Sequence, residues 1–344
     1  MRRGLALTAA VAAVALLTVA VAGAKSNDTT ITGAGSTFVS PLVSTWTPAV
    51  GSAFGITLQY SPVGSGAGIA AITQGQVDFG ASDAPLSPDQ FTACQGCVQI
   101  PWALSATSVD YNVPGAPVHL NLDGPTIANI FLGKITNWND PAIKALNKGA
   151  NMPDLKITPI FRSDGSGTTY NFTDYLSSVS ADWKSKVGVS TAVQWPAGQG
   201  ARGNAGVSGL VSRTSGGIAY TDVAFALTNH IHFAAVRNKA GKFLFPSLRR
   251  ISAAASSVKT VPANNEMHIV NPAKSNALAY PISTFTYVIV HQQSTHAAEL
   301  RKLIFWALTQ GQKPQYTAKL LFVPLPKVVL AAAEKTLKTV HAPA

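Results

Sequence analysis

Arg162-Ser163-Asp164-Gly165-Ser166-Gly167-Thr168-Thr169 joins an apolar run, residues 157–161, to a helical stripe of Phe172, Tyr175, Leu176 and Val179. That spacing predicts a strand, a Gly/Ser turn and a helix. The first N–H groups of a helix lack partners within it and carry partial positive charge. Glycine lets the backbone come close to a bound group. Ser166 and Thr168 add hydroxyls, and Arg162 adds a full charge on a forked donor. Together these groups suit a small tetrahedral oxyanion. A plain capped helix, with Ser166 or Thr168 as N-cap, is the alternative.

The chain builds the same junction twice more. Residues 29–32 read as a strand, followed by Gly33-Ala34-Gly35-Ser36-Thr37-Phe38 and a stripe of Phe38, Leu42 and Trp46. Pro41 falls in the first turn of that helix, and Pro48 is expected to stop or kink it. Ile56, Leu58 and Tyr60 then alternate with polar residues, which is strand period. Gly64-Ser65-Gly66-Ala67-Gly68 leads into a short helix ended by Gly75. Neither glycine cluster matches G-x-G-x-x-G and no Walker lysine follows, which argues against a nucleotide site.

Residues 77–86 alternate again and carry Asp83. A carboxylate faces an oxyanion only with a proton between them. Such a site favours phosphate, which keeps a proton at neutral pH, over sulfate, which does not. Asp83 as a helix cap or lysine partner is the alternative. Further on, residues 100–112 have strand character, 123–131 and 140–146 read as helices, and 195–204 form a loop to which no role attaches. Helices are expected from Gly206, over 297–308 and over 328–340. The pair His230 and His232 reads as strand surface, since no acidic cluster accompanies it.

With 344 residues, 47% hydrophobic and 12% charged, the chain fills one large or two medium domains and is too apolar for disorder. Met1-Arg2-Arg3, an apolar run over 5–21 and Ala22-Gly23-Ala24 describe a secretory signal peptide over residues 1–24. An uncleaved membrane anchor is the alternative. No cysteine ends that run, so a lipid anchor is not expected. The net charge is +11, and removing Arg2 and Arg3 leaves +9. This balance favours anionic partners. The basic residues are scattered without interleaved aromatics, which argues against a nucleic-acid groove. Cys94 and Cys97 are the two cysteines. In the cytosol C-x-x-C suits a redox pair or half a zinc site; after export a small disulfide is expected. Two thiols alone do not complete a zinc site, and no histidine pattern stands near them in sequence.

Several of these runs together resemble the phosphate-binding proteins of high-affinity phosphate ABC transporters. They are the turn from Thr32 to Phe38, residues 77–86, Phe131-Leu132-Gly133-Lys134-Ile135 and Asp164-Gly165-Ser166-Gly167-Thr168. Val193-Gln194-Trp195-Pro196 and Tyr280-Pro281-Ile282 join them. The resemblance spans about 32–326 in unbroken order. It implies an α/β periplasmic binding protein fold of two lobes, with two interlobe crossovers near 105–110 and 280–285 and a ligand cleft between the lobes. Lobe I would be 25–107 with 285–344, and lobe II 108–284. It also implies the phosphate ligands: Ser36, Thr37, the Phe38 N–H, Ser65, Asp83 as proton-reading acceptor, Arg162, Ser166, Gly167 and Thr168, with Asp164 holding Arg162. Gly66 stands where the family usually has a second serine, leaving the backbone donor. The implied role is phosphate capture outside the cytoplasmic membrane, as a periplasmic monomer that delivers to the transmembrane subunits of an ABC permease and their ATPase. No cofactor, metal or catalysis is implied. The competing readings are an exported phosphatase or esterase using Ser65 or Ser166, and a binding protein for another oxyanion such as sulfate, molybdate or arsenate. Neither serine lies in G-x-S-x-G.

Overall fold

The computed structural model describes residues 29–344. The expected signal peptide, residues 1–24, lies outside the described residues. The molecule is α/β, with two lobes hung on one long strand, Cys97–Asn112. Its first part pairs antiparallel with Ser283–His291, from Cys97 opposite His291 to Ala106 opposite Ser283. From Thr107 onward it pairs instead with Gly217–Asp222, ending with Asn112 opposite Gly217. Strands covered on both faces read as nearly continuous apolar runs. Ile100, Trp102, Leu104, Val109 and Tyr111 are accordingly all buried.

On one side of the exchange, Thr29–Gly35 lies parallel between Ile56–Ser61 and Phe79–Ser82. On the other, Thr158–Arg162 lies parallel between Gln199–Ala201 and Gly217–Asp222. The full order curls from Ile56–Ser61 at one edge to Gln199–Ala201 at the other. The chain returns beside the exchange point, where the Thr107 N–H donates to Ile282 O at 2.8 Å and the Tyr280 hydroxyl to Thr107 O at 3.1 Å.

Helices seal the sheet with apolar faces. Ser40–Phe54 buries Leu42, Val43, Trp46 and Val50. Trp46 meets Trp102 edge-on at 5.3 Å, and its indole N–H donates to Gly311 O at 3.0 Å. A buried aromatic of this kind contributes about 1.5–3 kcal/mol. Pro48 does not end this helix, which runs on to Phe54 with the proline inside it and closes at left-handed Gly55. Buried Trp46 and Val50 flank the proline and hold both halves to the sheet, so packing outweighs one lost hydrogen bond. Ala297–Leu308 forms as expected, and the last helix is Lys327–Leu337. Asp123 and Asp140 prove to be N-caps of Gly124–Phe131 and Pro141–Leu146. Among the described residues no helix is long and apolar enough to cross a membrane.

Candidate functional site

Every group of interest sits just past the carboxyl end of a parallel strand, where ligands of open α/β sheets bind. Ser36 and Thr37 follow Thr29–Gly35, Ser65 follows Ile56–Ser61, and Asp83 follows Phe79–Ser82. From the other side come Arg162, which ends Thr158–Arg162, and Asp164 and Ser166 just after it. All nine expected ligand residues are buried.

Hydrogen bonds join the two sides. Ser65 Oγ accepts from the Gly167 N–H at 3.1 Å and from the Asp83 N–H at 3.3 Å. The Gly66 N–H donates to Gly165 O at 2.9 Å. The donor expected at Gly66 is therefore used between the lobes. Gly167 is tightly enclosed: a Cβ there would lie 2.6 Å from both Cβ and N of Asp83. Only glycine allows this approach without something shifting.

Asp83 is the electrostatic centre. The Ser36 hydroxyl donates to its Oδ1 at 2.5 Å, while Ser36 Oγ accepts from the Phe38 and Val39 N–H groups at 3.0 and 3.3 Å. Burial pushes the Asp83 carboxyl up to about 7, against the opposing pull of the Ser36 hydroxyl and the Arg162 charge. Neutral pH is then the range in which this group gains or loses a proton. Asp83 is neither a lysine partner nor a side-chain helix cap, since Ser87 caps the next helix, Pro88–Ala93.

Arg162 is held by Asp164 in a two-pronged pair, Nε to Oδ1 at 2.7 Å and Nη2 to Oδ2 at 2.5 Å. Burial raises the Asp164 carboxyl, but the Arg162 hydrogen bonds and charge, with the Gly203 N–H, hold it below the usual carboxylate range. Arg162 Nη1 reaches Thr168 Oγ1 at 3.5 Å. Ser166 is the N-cap of Gly167–Val179, its Oγ accepting from the Thr169 N–H at 3.0 Å. The capped-helix alternative and the convergence on one locus therefore hold together at this junction.

Asn204 completes the cluster and was not expected. Its side-chain amide donates to Thr37 Oγ1 at 3.1 Å and Thr168 Oγ1 at 3.3 Å, tying residues of both sides together. The helix expected from Gly206 starts at Gly203, directly after the Gln199–Ala201 strand. The chain thus carries a fourth strand–glycine–helix junction, and Gly203-Asn204-Ala205-Gly206 was its sequence signal. Tyr220 was also missed: its hydroxyl accepts from the Arg162 N–H at 3.1 Å and meets Thr169 Oγ1 at 2.7 Å. Tyrosine in a strand carries no signal separating such a prop from ordinary core.

Ser65 and Ser166 accept backbone hydrogens here, and neither bonds a histidine among the described residues. Cys94 and Cys97 are paired as a disulfide. No histidine pattern stands near them in sequence, but strand pairing sets His291 opposite Cys97, with Nδ1 3.7 Å from Cys97 Sγ. The two residues are 194 apart in sequence, so no local pattern could show it.

Comparisons with known proteins agree with this architecture. Residues 20–310 match the PBP superfamily domain. The phosphate-binding protein PstS of Xylella fastidiosa (strain 9a5c) is 41% identical over 300 residues, covering 86% of this chain and 81% of the relative. PstS of Pasteurella multocida (strain Pm70) is 38% identical, covering 90% of each. Among solved structures, a high-affinity periplasmic phosphate-binding protein bound with phosphate, PfluDING, superposes with a TM-score of 0.71 at 23% identity, over 89% of this chain and 93% of that one. A phosphate-binding protein from Stenotrophomonas maltophilia gives 0.65 at 21%, with the same coverages.

Proposed function

The chain belongs to the PBP superfamily and, within it, to the phosphate-binding proteins named PstS, and we propose that it captures inorganic phosphate outside the cytoplasmic membrane and hands it to an ABC permease. The lobes would divide as 25–107 with 285–344 against 108–284, and the anion would lie between them. Export by residues 1–24 and a periplasmic place belong to the same reading.

One observation carries it: a buried carboxylate, Asp83, stands among buried donors from both sides of the cleft, with Arg162 as their charged member. A purely cationic pocket would take any oxyanion. An acceptor inside the cage takes one that brings a proton. The Phe38 and Gly167 N–H groups, now bonded to Ser36 and Ser65 oxygens, have the chemistry to turn to phosphate oxygens instead. Ser36, Thr37, Ser65, Ser166 and Thr168 would add hydroxyls. Arg162 is already ion-paired with Asp164, so much of the anion's charge would be met by dipoles, as in other water-free anion sites. Each hydrogen bond to a charged oxygen contributes about 1.5–3 kcal/mol. Since the groups come from both lobes, binding favours the closed form.

The test is calorimetric titration with phosphate and sulfate at pH 8. Phosphate should bind far more tightly, and Arg162→Ala should weaken both anions. Equal affinity for the two anions removes the role given to Asp83. Release of nitrophenol from a phosphate ester by the pure protein would instead favour the hydrolase.

A further inference from the structure

A second cluster of reactive side chains lies at the opposite end of the central strands. Thr284 adjoins the anion cleft, its Oγ1 3.5 Å from Asp83 O, whereas His291 ends the same strand seven residues on, opposite Cys97. At about 3.3 Å per residue the separation is on the order of 20 Å. Here one ligand atom each from Cys94, Cys97 and His291 all lie within 4.8 Å of one another. Ligand atoms on a tetrahedral zinc ion lie roughly 3.5–3.8 Å apart, from bond lengths of about 2.0–2.3 Å. On reduction the two sulfurs, now bonded to each other, move apart to that spacing by side-chain rotation, and the imidazole closes the rest.

The histidine is already set as a ligand. Its Nε2 lies 2.9 Å from Ile72 O, a carbonyl that only accepts, so Nε2 carries the proton. In the neutral ring Nδ1 is then a lone pair, and it is the atom facing Cys97 Sγ. A ring N–H anchored on a backbone carbonyl is the usual second partner of a metal-bound imidazole. The frame is firm: Cys97 and His291 are cross-strand neighbours, and Gly96, with φ at +80°, closes the turn back to Cys94. A polar cavity of about 340 Å³, lined by Gln95, Gly96, His291, Gln292, Gln293 and His341, leads to the cluster. Cys94 is itself buried against Ile69, Ile72 and Leu86.

We propose that Cys94, Cys97 and His291 form a redox-gated site for a thiophilic d10 cation of the Zn²⁺ class, shut as the disulfide and opened by a dithiol reductant. The opening step balances. Thiol–disulfide exchange moves two electrons from the dithiol to Cys94–Cys97; the reductant leaves as its own disulfide and two cysteine thiols form. The cation then takes two thiolates and Nδ1, and the two thiol protons pass to solvent. Two sulfurs and one imidazole with an open fourth position suit zinc rather than magnesium or calcium, which take oxygen ligands.

The experiment uses the mature full-length protein, oxidised or reduced by a phosphine and freed of reductant, titrated with Co²⁺ and then Zn²⁺. The reduced protein should take up one equivalent of Co²⁺ with the intense visible and thiolate charge-transfer absorption of a tetrahedral site, and Zn²⁺ should displace it. The oxidised protein should show neither. Cys94→Ser should abolish the signal, and His291→Ala should weaken Zn²⁺ binding by about tenfold or more while both thiols remain. Circular dichroism melting establishes that each variant is folded. Absence of the thiolate–cobalt absorption in reduced, folded protein overturns the proposal, as does a His291→Ala variant that binds Zn²⁺ like the parent.

Discussion

At the scale of single residues, the proposed selectivity for phosphate rests on the proton at Asp83. Burial disfavours the ion and pushes its carboxyl up to about 7. Replacing it with asparagine keeps the size and removes the charge. For Asp83→Asn we predict phosphate binding weaker by about ten- to a hundredfold, the worth of one hydrogen bond to a charged group. Sulfate should gain at the same time, since its repulsion from a carboxylate is gone. Titrations with both anions check this, and a variant that keeps the parent's preference removes Asp83 from the site. The unsubstituted protein offers the matching pH experiment. Below about pH 7 Asp83 takes a proton itself and becomes a donor, so sulfate affinity should rise from pH 8 to pH 5. Phosphate affinity should vary less, because one proton lies between the partners throughout. Gly167 tests the approach of the lobes. An added Cβ would meet Asp83 backbone nitrogen at 2.6 Å, and backbone does not give way as a side chain would. Gly167→Ala should therefore oppose closure by about 1–3 kcal/mol, read as a Kd roughly ten- to a hundredfold higher. An unchanged Kd would mean that the lobes do not meet there when ligand is bound.

At the scale of elements, the unit is a parallel strand, a glycine turn and a helix start, used four times. Three were legible in the sequence because their glycines sit beside serines or threonines and run straight into apolar helical stripes. The fourth was hidden because Gln199–Ala201 is only three residues long and mostly exposed, giving no apolar run to mark it. Asn204 was lost with it. The junction at Arg162 could be read locally from its apolar run, Gly/Ser turn and helical stripe, while the pairing of Asp164 with Arg162 was implied by the resemblance and is present. His291 beside Cys97 could not, because it exists only through strand register. Pro48, expected to stop or kink its helix, does not stop it for a related reason: propensity is local, and the packing that overrides it is not. Asn204 spans the cleft from Thr37 to Thr168. Asn204→Ala would remove the side-chain donor from each of those buried hydroxyls, although Thr37 Oγ1 keeps the Asn204 N–H at 3.2 Å, at a cost of about 1–3 kcal/mol. The expected outcome is phosphate affinity lower by about tenfold or more, measured calorimetrically. Binding indistinguishable from the parent would reduce Asn204 to a spectator.

At the scale of the whole molecule, the exchange of partners along Cys97–Asn112 gathers buried acids in one region. Asp110 lies on that strand, Asp222 ends its neighbour, and Asp83, from the other side of the exchange, lies close enough for its charge to act on Asp222. Burial pushes Asp110 up to about 7, and burial together with the charges of Asp83 and Asp110 raises Asp222. Asp110 Oδ1 and Asp222 Oδ2 have no hydrogen-bond partner, which is tolerable for protonated acids and costly for ions. These folded-state values exceed the unfolded value of about 3.9. Between about pH 4 and 7 the folded chain therefore binds more protons than the unfolded one, and stability falls as pH rises. Asp78 and Asp164 act in the opposite sense. Burial raises both, yet the Thr32 N–H and His296 hold Asp78 low, and Arg162 holds Asp164 low. Their contribution is present above about pH 4 and is lost on further acidification. The phosphate-free protein should thus melt highest between about pH 4 and 6, with Tm falling toward pH 8. General repulsion in a chain of net charge +11 grows on acidification and works against this trend. Asp110→Asn separates the two effects. Asparagine can still accept from Thr221, whose hydroxyl meets Asp110 Oδ2 at 2.5 Å, but it does not titrate. Its Tm should exceed the parent's most at pH 8 and converge on it near pH 4. A constant offset between the two melting curves across that range would show that Asp110 stays ionised in the fold.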